Sequence, residues 1–193
     1  MLSIQALFGI TAGVLELASC AVYIASILRG KTRPNRVTWW ILALVSAMIT
    51  ASYYASGARE TIWLPAVYTT CFVVIGLLSL KFGDGPIVLN FLDRVCLIGA
   101  IASALIWWFF NSAVLALYMN IIIDFIGLIP TMRKAYVRPW TESGLAWTIA
   151  VMASLLNVFA IAQWTLEISV YPLYLLIVNA AITYFIIRRK LKL

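Results

Sequence analysis

The sequence predicts an all-α membrane protein whose seven transmembrane helices form two parallel three-helix bundles joined by a linker helix, a 3+1+3 order. Three observations predict it. Of 193 residues, 64% are apolar and 11% charged, with a mean hydropathy of +1.02. A soluble domain of this size could not hide so much apolar surface. Seven apolar runs fill nearly the whole chain, each near the roughly 20 residues that cross a hydrocarbon core of about 30 Å. Rare residues recur at a near-constant offset in the two halves, which divides the chain into triplets at 1–83 and 112–193 around a linker segment and fourth helix at 84–111.

The first run, 4 to 28, carries Glu16, Ser19, Tyr23 and Ser26 at spacings of three and four, hence on one narrow helical face. A basic loop containing Arg33-Pro34 leads to the second run, 37 to 56, with Trp40, Ala43, Thr50 and Ser56. The third, 61 to 80, opens on Glu60 and Pro65, where a carboxylate suits a helix N-terminus. GDGPIVLNFLDR reads as a surface turn and half-buried stretch before the fourth run, 95 to 111, whose end Trp107-Trp108-Phe109-Phe110 suits an aromatic belt. The fifth run, 113 to 132, repeats the first: Asn120, Asp124, Gly127 and Thr131 share a face, and an offset of 105 carries Ser19 to Asp124 and Ser26 to Thr131. After Arg138-Pro139, an offset of 107 pairs Trp40 with Trp147 and Thr50 with Asn157 in the sixth run, 143 to 164. It also pairs Glu60 with Glu167 and Pro65 with Pro172 at the start of the seventh, 168 to 187. Three crossings would invert the second triplet; the fourth helix restores its direction, giving parallel repeats about an axis along the membrane normal.

The net charge of +7 follows topology rather than nucleic-acid binding. With the first residue outside, thirteen basic residues fall on the cytoplasmic side and only Arg59 on the other. The positive-inside rule therefore predicts the N-terminus outside and the C-terminus, with Arg188, Arg189, Lys190 and Lys192, in the cytoplasm. MLSIQ has no basic n-region and does not read as a removed signal peptide. Cys20, Cys71 and Cys96 lie apart in apolar runs and read as packing residues, with no metal site, cofactor or disulfide expected. Without histidine, and without a nucleophile and base pattern, no enzyme is expected. The seventh run has no lysine at mid-membrane to hold retinal. Lack of signal and glycosylation motifs leans toward a prokaryotic plasma membrane.

A seven-helix chain of this plan resembles the PQ-loop superfamily, which includes the SWEET and SemiSWEET sugar transporters. The residues that carry the resemblance are Ile129-Pro130-Thr131-Met132-Arg133-Lys134, similar to the family's Pro-Gln turn with Thr131 in place of the glutamine. The first copy has Ala25-Ser26 there and no proline. The resemblance implies that Pro130 and Thr131 form a hinge, and that Asn179 faces substrate, with Phe72 at its partner position.

Asp124 is the sharpest candidate, because an ionisable group inside a span marks a site or proton path unless it merely bonds a neighbouring helix. Glu16 is the second candidate for proton coupling. Asn157 shares a small and polar face with Trp147, Ala150 and Ser154; it, Asn179, Thr50 and Tyr54 are expected to line a cavity, or else to be interhelical bonds. Trp147 reads as a stacking plate or as a belt residue. The expected function is a small-solute transporter working by alternating access on a sugar or another small polar metabolite. The alternative is a non-transporting receptor or assembly subunit; a homo-oligomer is left open.

Overall fold

A computed structural model of the chain describes residues 2–84 and 88–188. Arg189, Lys190 and Lys192 of the expected basic tail lie outside the described residues, as does part of the expected linker turn. Among the described residues seven α-helices form in order: α1 (Ile4–Leu28), α2 (Arg36–Ala55), α3 (Trp63–Phe82), α4 (Phe91–Phe110), α5 (Ala113–Val137), α6 (Gly144–Phe159) and α7 (Leu166–Ile187). Two 3-10 turns, Glu60–Ile62 and Pro139–Thr141, precede α3 and α6. Six helices are long and apolar enough to cross a membrane, and α6 is apolar but shorter. The chain is an all-helical, multi-pass membrane protein.

Polar caps set the boundaries. The Asn35 side chain accepts from the amides of Val37 and Thr38 at 3.1 and 3.0 Å, which starts α2 directly after the basic loop. Asn90 and Asp93 form a reciprocal capping box at 2.9 and 3.0 Å, so α4 begins at Phe91, four residues before the apolar run suggested. Ser143 caps α6. That helix ends at Phe159 instead of 164, leaving 16 residues, about 24 Å of rise. Hydropathy continues beyond it, but the helix does not.

α1 packs on α3 and α6; α2 packs on α3 and α5; α7 packs on α6 and α5. α4 leans on α5 and α2, and its last aromatics, Trp108 to Phe110, point outward. One close approach requires glycine: a Cβ at Gly9 would collide with the Glu60 carbonyl, so α1 meets the turn before α3 only without a side chain there. The interior runs through Val45, Ile49 and Tyr53 of α2, Leu64 and Tyr68 of α3, Leu117 and Ile121 of α5, and Tyr171 and Leu175 of α7.

Burial refines the expected offsets. In α3 and α7 the buried positions correspond at 107, as in Leu64 with Tyr171, Pro65 with Pro172 and Ile75 with Ile182. In α2 and α6 they correspond at 108: Leu42 with Ala150, Ser46 with Ser154, Ile49 with Asn157. Trp147 therefore corresponds to Trp39, and the pairings with Trp40 and Thr50 are one residue off. In α1 and α5 an offset of 104 aligns the buried face better than 105, placing Glu16 opposite Asn120 and Cys20 opposite Asp124.

Candidate central cavity

Six helices, all but α4, converge on one cavity of about 70 Å³, room for a handful of waters. α1 contributes Glu16, Ser19, Cys20 and Tyr23; α2 contributes Trp39, Leu42 and Ser46; α3 contributes Tyr68, Cys71, Phe72 and Ile75. From the other half come Asp124, Leu128 and Thr131 of α5, Ala146, Trp147 and Ala150 of α6, and Tyr171, Leu175, Val178 and Asn179 of α7.

The two acids of the cavity are both buried. Asp124 is 5% exposed and accepts the Tyr174 hydroxyl on Oδ2 at 2.6 Å. Glu16 is 4% exposed and lies near the Tyr68 hydroxyl, and its Oε2 has no hydrogen-bond partner among the described residues. Asn179 donates through Nδ2 to Tyr68 at 2.9 Å and to Ser154 at 2.8 Å. Its amide thus ties Tyr68 of α3 to Ser154 of α6. Ser19 ties α1 to α6 by donating to the Ala146 carbonyl at 2.9 Å.

The cavity continues toward the end that carries the basic loops. Tyr23, Trp39 and Thr131 also border a vestibule lined by Arg33, Asp84, Pro130, Lys134 and Glu142. Glu142 pairs with Lys134 at 2.9 Å and accepts from the Trp147 indole at 3.3 Å. At the opposite end the interior is shut. Pro172 has no amide hydrogen, which frees the Ile168 carbonyl one turn earlier, and the Tyr53 hydroxyl donates to that carbonyl at 2.6 Å while bonding Thr61 at 2.7 Å. The Tyr53 and Tyr171 rings meet at 5.4 Å.

Of the residues singled out from sequence, Asp124, Glu16, Asn179, Trp147 and Thr131 share the cavity, and Pro130 lies in the vestibule. Three lie elsewhere. Asn157 is fully buried beyond the lining, with neither amide atom partnered among the described residues. Thr50 bonds Thr69 at 2.9 Å between α2 and α3. Tyr54 is 53% exposed, its ring beneath Arg59 at 4.2 Å, because the inward tyrosine is its neighbour Tyr53. Sequence reasoning missed Trp39, Tyr68, Tyr171 and Tyr174. Cys20 carried a signal, since it lies four residues after Glu16 on the same face. Cys20 and Cys71, distant in sequence, line one cavity as free thiols. Among the described residues no group of three or more His, Cys, Asp or Glu is placed to hold a metal. No family model, curated protein or solved structure matches the chain.

Proposed function

We propose that this protein is a small-solute carrier in which two parallel triple-helix bundles, α1 to α3 and α5 to α7, rock about the central cavity while α4 joins them. The observation that carries this reading is a cavity bordered by both triplets, sharing Tyr23, Trp39 and Thr131 with a vestibule at one end and capped at the other by the Tyr53 and Ile168 contact. Packing partners support it: exchanging α1, α2 and α3 for α5, α6 and α7 turns the α1–α6 contact into the α5–α2 contact and keeps the pattern within each triplet. Pro130 interrupts the hydrogen bonding of α5 where that helix borders the vestibule, which fits the hinge implied by the PQ-loop resemblance.

With the basic end cytoplasmic, this conformation faces inward, and alternation requires the loop of Arg33 and Pro34 to close on Lys134 and Glu142 across the vestibule as Tyr53 releases Ile168. Asp124 and Glu16 are the groups available for proton coupling. The test is flux into proteoliposomes across a panel of sugars, amino acids, vitamins and amines; rates equal to those of protein-free vesicles would overturn the proposal. A non-transporting receptor or assembly subunit is the second reading. The commitment of Asn179 to Tyr68 and Ser154 favours it, since that amide is packed rather than offered to a solute.

A further inference from the structure

The cavity combines two carboxyl groups and four short polar side chains, Ser19, Ser46, Thr131 and Asn179, with a wall that is mostly aromatic and aliphatic. Six rings face it, three from α2 and α3, one from α1, one from α6 and one from α7. No Lys or Arg is among the described residues that line it. Asp124 receives one neutral tyrosine donor, Tyr174, while Oε2 of Glu16, in a side chain 4% exposed, has no partner among the described residues. A carboxylate buried without a cation is costly, and the faces of Trp and Tyr rings attract cations that have shed their water. Tyr171 lines the cavity with both acids and lies within electrostatic reach of each.

We propose that this cavity binds an organic monocation, an alkylammonium whose charge is met by Glu16 and Asp124 and whose apolar shell is met by the rings. A sugar would leave the two acids unneutralised and would offer its hydroxyls to Ser19, Ser46 and Asn179, which already bond within the protein. A bare inorganic cation would lose its water to a cavity that returns few oxygen ligands. The vestibule does not bar a cation, because Arg33 and Lys134 are offset there by Asp84 and Glu142. As a statement about transported substrate the inference rests on the carrier reading; as a statement about binding it stands apart.

The experiment titrates the full chain in nanodiscs with choline, with its neutral carbon isostere 3,3-dimethylbutan-1-ol, with glucose and with sodium chloride, reading tryptophan fluorescence. Choline should bind saturably and at least about tenfold more tightly than the isostere. Glu16→Gln and Asp124→Asn should each erode that advantage while leaving the isostere unchanged. Equal binding of choline and isostere to the unmodified protein, preference for glucose, or displacement of choline by sodium chloride beyond the effect of ionic strength would overturn the proposal. Flux separates the two readings. Choline binding without flux of any solute keeps the site and removes the carrier; sugar flux without choline binding does the reverse.

Discussion

Tyr53 shows how much can turn on a single hydroxyl. It joins the α2 end to a carbonyl released by Pro172 and to Thr61 at the start of α3, in a fully buried place. Tyr53→Phe leaves both partners buried without a bond, a loss of about 1–3 kcal/mol, and should lower the melting temperature and raise solute leak through the protein in vesicles. Asn157 makes the opposite case. Its amide has no partner among the described residues and does not line the cavity, so Asn157→Leu should leave the melting temperature unchanged or raise it, with flux retained. Loss of flux with the fold intact would return Asn157 to the solute path expected from its sequence face. The acids and Asn179 were legible as candidates because polar groups in a span stand out against an apolar background. The aromatics that surround them did not stand out, since Trp and Tyr also populate belts and lipid-facing surfaces.

At the scale of the helix, apolar runs located each helix to within about five residues, and side-chain caps that the runs do not record set several of the starts. Asn35, Asn90, Ser112 and Ser143 all act as side-chain caps, and Asn90→Ala should cost about 1 kcal/mol, seen as a lowered thermal midpoint. α6 stops where its apolar composition continues, because hydropathy records what lipid and protein interior accept alike, not where the backbone turns. Pro130 sits inside α5 with Ile126 as the carbonyl deprived of its helical donor. Pro130→Ala should restore that bond, stabilise the protein and slow maximal transport with little change in half-saturation. A bulkier residue at Gly9 should act differently: Gly9→Val forces α1 away from the Glu60 turn and should destabilise by about 1–3 kcal/mol.

For the whole molecule, the proposed orientation and rocking are open to direct measurement. In a background with the native cysteines replaced, a cysteine at Ser3 should react with a membrane-impermeant maleimide in intact cells, and one at Lys31 only after permeabilisation; the reverse would invert the topology. A reducible bifunctional thiol cross-linker joining cysteines placed at Tyr53 and Ile168, whose Cα atoms stand too far apart for a direct disulfide, should hold the far end shut and stop flux, restored on reduction. The sequence by itself determined that the chain is helical and membrane-embedded, roughly where each helix runs, and which helices carry buried acids, because apolar length, caps and rare polar residues are local properties. Only the tertiary structure decided that Trp39 faces inward and Trp40 does not, that Tyr53 and not Tyr54 closes the far end, and that Tyr174 serves Asp124 while Tyr68 lies near Glu16. Neighbouring residues differ by about 100° around a helix. In water the polar face fixes that phase, but with lipid outside and protein inside both faces are apolar, and packing alone sets the rotation.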